Sequence, residues 1–245
     1  MTWTMENFLL KAGRNVRQSG GQAATTEEPL TITWAAARIH TAYHECGHAL
    51  CGFLQKHGDP VNYAYIRPKN AVIGQGGLTG VTDSVFRKKY TREKLFERLV
   101  CIQAGISADH VRFGIHMPST GDRTKGEEMA KIIAYRFDML GEREWAYESM
   151  QPVSKYLPAA GRPLFAVEVN AYKICDEATA EAIKMFDTVK NKERLEKCAN
   201  KLQEKGKLMR SELIKIFDTK PLSTSKRWRD PPTASDPRIH SADFI

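Results

Sequence analysis

His44-Glu45-Cys46-Gly47-His48 sets two imidazoles four residues apart with a carboxylate between them, the HExxH pattern. On an α-helix, residues four apart lie one turn above each other on one face. Two imidazoles so placed can converge on a single zinc ion at about 2.0 to 2.1 Å. Glu45, adjacent to the first of them, then stands beside a water on that ion. It can take the water's proton and later deliver it to a leaving amine. The ion also polarises the scissile carbonyl, so the pattern predicts zinc-dependent hydrolysis of peptide bonds. The competing reading is a buried helix with two satisfied histidines. Against it stand Trp34, Ala37, Ile39, Tyr43, Ala49, Leu50 and Phe53, which make this helix strongly apolar. Two histidines and a glutamate buried there are costly unless they share a partner.

A catalytic zinc takes three protein ligands and keeps a fourth position open, so a third ligand must come from elsewhere in the chain. His40 continues the row of His44 and His48, but the outer two of the three are roughly 12 Å apart along a straight helix. His40 is therefore read as a polar or supporting residue, and Cys46, between the ligands, as a packing residue. The remaining candidates are Asp122, Glu127, Glu128, His110 and His116. Asp122 is favoured because it opens a predicted helix in which Gly126, Ala130 and Ala134 follow at four-residue steps. That small-residue stripe would let the helix approach the HExxH helix closely. The alternative for Asp122 is an ordinary first-turn acid favoured by the helix dipole.

The elements that must position these groups are legible in outline. The apolar pattern predicts a helix from Thr33 to about Leu54, closed by His57-Gly58-Asp59-Pro60. VNYAYIRP, residues 61–68, alternates as a strand does, and the glycines of NAVIGQGGLTGVTD suit a hairpin or an extended edge segment. Gly76, Gly77, Leu78, Thr79 and Gly80 of that segment are the candidate substrate-binding residues, since an exposed edge can pair with an extended peptide through its main chain. A plain glycine-rich turn is the alternative. A further helix begins near Thr91 with Leu95, Leu99, Ile102 and Ile106 on one face, and Ser119-Thr120 offers a helix N-cap. Residues from Leu164 to Phe217 read as two long amphipathic helices, the second from near Asn191. The expected fold is mainly α, with a small β-sheet or hairpin near the active site. One domain over residues 31–218 is expected between a flexible polar arm, 1–30, and a disordered tail, 219–245.

Composition narrows the class. The 42% hydrophobic and 27% charged residues are those of a globular protein, and no apolar run approaches the roughly 18 to 20 residues that a membrane-spanning helix needs. Five scattered cysteines without a CxxC pair, and no export signal at the start, point to a reducing, cytoplasmic setting. Much of the net charge of +8 lies in KNKERLEKCANKLQEKGKLMR, where acids are interleaved with the bases. That is a solvated helix face, with no aromatic interleaving, so nucleic acid is not an expected partner.

Taken together, these segments resemble the peptidase domain of the FtsH-type ATP-dependent zinc proteases. AYHECGHAL resembles that family's AYHEAGHA helix, with Cys46 in place of an alanine. IRPKNAVIGQGGLTG resembles the strand and glycine segment that follows, and LVCIQAGISADHVRFG its helix with a GGRAAE core, from which residues 105–109 depart. VEVNAYKICDEATAEAIKMF and NKERLEKCANKLQEKGKLMRSEL are similar to its two closing helices. STGDRTKGEEMA resembles the family's TTGA-x-x-D-L-x-x-A stretch, which carries the third zinc ligand, but is shorter by three residues before the acid. Alignment on the small-residue stripe puts Asp122 at the ligand position, whereas alignment on the Thr-Gly pair puts Lys125 there. Asp122 is the expected ligand, since a protonated lysine cannot serve.

The resemblance implies a helical zinc peptidase over residues 34–217, acting on protein or peptide substrates. No GxxxxGK[ST] phosphate loop occurs in the chain. The expectation is thus an ATP-independent peptidase for unfolded or flexible proteins, or a subunit served by a separate unfoldase, with a homo-oligomer as the other partner to consider. The competing expectation is a catalytically degenerate relative that keeps the fold as a binding or scaffolding module. A basic nucleic-acid-associated protein with structural zinc is the third reading.

Overall fold

In the computed structural model, residues 34–57, 61–67, 77–81, 89–114, 119–146, 162–219 and 221 are described. The expected N-terminal arm, nearly all of the expected tail, Gly76 and His116 lie outside the described residues. The elements run α1 (Trp34–Leu54), β1 (Val61–Ile66), β2 (Gly77–Val81), β3 (Lys89–Tyr90), α2 (Arg92–Phe113), α3 (Thr120–Ile132), β4 (Trp145–Ala146), α4 (Arg162–Phe186), α5 (Val189–Lys205), β5 (Lys207–Met209) and α6 (Arg210–Phe217). A π-helical segment, Ile133–Met139, prolongs α3. The mainly helical fold expected from the sequence is what forms. Among the described residues no helix is long and apolar enough to cross a membrane.

Local chemistry explains where the helices begin. Thr91 caps α2 by accepting from the backbone N–H of Lys94, and Ser119 caps α3 by accepting from that of Asp122. Gly114, at φ 71°, ends α2 in the left-handed conformation that glycine adopts without strain.

α1 is the central helix. Ala42, Cys46, Ala49, Leu50, Cys51 and Phe53 are wholly buried, because α2 covers one flank, α5 another, and the sheet a third. The closest crossing is with α2. A Cβ added to Gly47 would lie 2.5 Å from the Ala104 carbonyl oxygen and 2.6 Å from the Ala108 Cβ, nearer than atoms can approach. The Gly47→Ala variant is therefore expected to push α1 and α2 apart, at a cost of roughly 1–3 kcal/mol for an overpacked core position. Thermal unfolding of the metal-free protein would show this as a Tm lower by several degrees; an unchanged Tm would mean that the crossing is looser.

β1 is the middle strand of an antiparallel sheet ordered β2-β1-β5, leaving β2 at an edge among the described residues. Strands β3 and β4 form a separate antiparallel pair.

Two expectations need correction. The stretch ending at Phe217 is not two helices but α4, α5 and a short α6. Gly206, at φ 74°, stops α5, and Lys207–Met209 then pairs with β1 before α6 begins. A strand of three residues is too short to leave a period in the sequence. The expected close approach of the small-residue stripe to α1 does not form at Gly126 either. A Cβ on Gly126 would meet the Gln103 side chain at 2.3 Å and Leu99 at 3.5 Å, so α3 packs between α2 and α4. Only the first turn of α3 reaches α1, and that turn carries Asp122.

Candidate metal centre

α1 turns His44 and His48 to one side, with their Nε2 atoms 3.2 Å apart. From the start of α3, Asp122 Oδ2 approaches His44 Nε2 to 2.7 Å and His48 Nε2 to 3.3 Å. Ser119 fixes that carboxylate: its hydroxyl donates to Asp122 Oδ2 at 2.6 Å, while its oxygen caps the helix. Among the described residues this trio is the group of histidine, cysteine and acid side chains that could hold a metal ion. The expected ligand set of His44, His48 and Asp122 is thus brought together, although 78 residues separate its ends.

The trio fits zinc. Four ligands at about 2.0–2.1 Å around a tetrahedral ion lie about 3.3 Å from one another, which is the scale of the separations above. The outer nitrogens are also in use. His48 Nδ1 donates to the Cys101 carbonyl at 2.8 Å, and His44 Nδ1 lies 3.3 Å from Asp109 Oδ2. Such contacts fix the tautomer and leave both Nε2 lone pairs facing the centre. Beside them α2 presents Gly105. A Cβ there would fall 2.5 Å from His44 Nε2 and 2.6 Å from His48 Nε2, so the glycine keeps clear the space onto which the imidazoles open.

The electrostatics favour a cation at this place. Burial opposes charge on His44, but hydrogen bonds to Asp109 and Asp122 outweigh it and push the imidazole up to about 10. His48 is raised as well, since Asp122 overcomes its burial. Asp122 is held far below the usual carboxylate range: burial would raise it, and the charges and hydrogen bonds of His48 and His44 prevail. The neighbouring carboxylates thus favour positive charge at this place, which a divalent cation would supply.

Glu45 is buried beside the trio and is not a member of it. Burial pushes its carboxyl above the usual range, against the pull of His44, His48 and a hydrogen bond from Thr79. The Thr79 hydroxyl donates to Glu45 Oε2 at 2.8 Å and reaches across from β2. Gly77, Leu78 and Gly80 lie on the same edge strand.

Other candidates stand apart. His40 stacks on Phe113 with ring centroids 3.9 Å apart, and its Nδ1 lies 3.7 Å from Asp109 Oδ1, so it backs the residue that holds His44. Cys46 turns away from the centre toward Cys198 of α5, and both are wholly buried, as packing residues are. Glu127 pairs with Arg123 at 3.2 Å. Glu128 and His110 do not join the trio. Lys125, half-buried one turn beyond Asp122, does not join it either; burial lowers its ammonium pKa and Asp122 works against that.

Three contributors escaped sequence reasoning: Asp109, the Cys101 carbonyl and the Thr79–Glu45 bond. The one available signal was the departure of residues 105–109 from the GGRAAE pattern, where an acid sits four residues after Gly105 on the same helix face.

The chain is similar in sequence to known proteins. The profile of Peptidase family M41 matches residues 31–216. The chain is 34% identical over 136 residues to "ATP-dependent zinc metalloprotease FtsH 1" of Conexibacter woesei, covering 53% of this chain and 20% of that protein. It is 27% identical over 216 residues to "ATP-dependent zinc metalloprotease FtsH" of Cutibacterium acnes, covering 84% and 29%. To the mouse "Mitochondrial inner membrane m-AAA protease component AFG3L1" it is 25% identical over 221 residues, covering 83% and 26%. In each case the chain spans less than a third of the relative's length.

Proposed function

Because this chain belongs to peptidase family M41, we propose that it is a zinc-dependent endopeptidase that hydrolyses peptide bonds in unfolded or flexible proteins. The observation that carries the reading is the convergence of His44 Nε2, His48 Nε2 and Asp122 Oδ2 on one point, with the Glu45 carboxylate buried beside it. His44, His48 and Asp122 would hold the ion. Bound zinc supplies Lewis acidity to the scissile carbonyl and lowers the pKa of a water molecule. Glu45 takes a proton from that water as general base and returns it to the leaving amine as general acid.

Gly77, Leu78, Thr79 and Gly80 seat the substrate. β2 is paired with β1 on one side and stands at the edge of its sheet, so an extended peptide can add to it by main-chain hydrogen bonds. Such bonding tolerates many side chains and demands an extended backbone, which favours unfolded segments. The 245 residues contain no phosphate loop, so any ATP-driven delivery of folded substrates comes from outside them.

The test is cleavage of an unstructured protein by the purified chain with zinc and no ATP. Fragments should appear, vanish on chelation and return when zinc is restored. Zinc bound at one ion per chain with no cleavage would instead favour the binding or scaffolding role.

A further inference from the structure

We infer that Thr79 is a positioning residue for Glu45, tying the base to the strand that seats the substrate. The inference rests on the peptidase reading above and deepens it.

The hydroxyl of Thr79 lies 2.8 Å from Glu45 Oε2 and 2.8 Å from the Glu45 carbonyl oxygen. A carboxylate acting as base is ionised and only accepts, so the threonine donates to it, and its one proton is shared between the two oxygens. Hydrogen bonds to ionised groups are the strong ones. This bond also crosses the fold: donor and acceptor are 34 residues apart, one on a strand and the other on a helix. The donor is well fixed. Thr79 stands in register opposite Ala64, which is wholly buried on the middle strand, and a β-branched side chain has little freedom about χ1. With Oε2 held, the carboxylate loses its free rotation, and its second oxygen is presented in one orientation. The residue that fixes the carboxylate belongs to the edge strand itself. A peptide added to β2 is thereby registered against the base by one rigid link, rather than by two independently moving elements. Serine would supply the same donor with a looser torsion, and valine would keep the shape without the donor.

The experiment uses the full chain and three variants: Thr79→Val, Thr79→Ser and Glu45→Ala. In cleavage of an unstructured protein with zinc, Thr79→Val is expected to lower kcat about 10-fold to 100-fold, the worth of a hydrogen bond to a charged group. KM should stay within about twofold, because the strand's main chain is untouched, and Thr79→Ser should recover most of the loss. A second readout needs no activity. In the metal-free protein Thr79→Val should lower Tm by about 3 °C or more when Glu45 is present, and by clearly less in the Glu45→Ala background. Equal cleavage by wild type and Thr79→Val, or a serine variant as slow as the valine one, overturns the positioning role. Additive Tm changes overturn the contact itself. A wild type that cleaves nothing sinks the peptidase reading and the positioning role with it, while the thermal cycle still reports separately on the bond.

Discussion

Glu45→Gln is expected to reduce peptide hydrolysis by about 10²- to 10⁴-fold, the usual range for loss of a general acid–base group, while zinc stays bound at one ion per chain. Glutamine has nearly the same shape as glutamate, and its amide oxygen can still accept from Thr79, so the contact at 2.8 Å survives. What disappears is the capacity to hold a proton. Glu45 lies outside the trio of His44, His48 and Asp122, so metal affinity has no reason to fall. Nor has stability, since burial already disfavours the charged form of this carboxyl. The measurement pairs initial cleavage rates with elemental analysis of the desalted protein. A variant that cleaves at the wild-type rate would remove Glu45 from the mechanism, and one that loses its zinc would show the residue to be structural.

The second large effect concerns the third ligand. Asp122→Ala should weaken zinc binding well beyond the 10- to 100-fold that loss of a supporting residue costs. It removes an oxygen placed 2.7 Å and 3.3 Å from the two imidazole nitrogens and leaves a two-ligand site. The helix itself should persist, because Ser119 caps α3 through the backbone N–H of residue 122 and not through its side chain. Lys125→Ala is the matched control. The alternative register of the STGD segment puts Lys125 where Asp122 stands in the preferred one, so the pair decides between the two alignments. Competition with a chromophoric chelator should show Lys125→Ala within about twofold of wild type. Unchanged affinity in Asp122→Ala would reject the ligand assignment.

Much of the site was visible before any coordinates, though unevenly. His44 and His48 are four residues apart on one helix, and a helix's period is a local property. Their convergence therefore follows from the chain's own geometry once α1 forms. The caps at Thr91 and Ser119 are local as well, each being a side-chain oxygen answering an N–H three residues on. Alternation marks β1, and Gly206 is a local helix stop. The reach of Asp122 does not come from the small-residue stripe that follows it. Gly126 faces Gln103 and Leu99 of α2 rather than α1, and the aspartate reaches the histidines because it sits in the first turn, before that packed stretch.

The sequence by itself determined the chemistry available: a pair of imidazoles with a carboxylate between them, on an apolar helix followed by a glycine-rich edge strand. Tertiary structure alone decided how that chemistry is completed. Asp122 joins from 78 residues away, Asp109 steadies His44 from 65, and Thr79 holds Glu45 from 34. Gly105 keeps the space beside the imidazoles clear. Each of these depends on where one element crosses another. Crossing geometry is set by the joint packing of many side chains, here by the close approach that Gly47 allows against Ala104 and Ala108. No short stretch of sequence contains that information, because the residues that fix the crossing are not the ones that carry the chemistry.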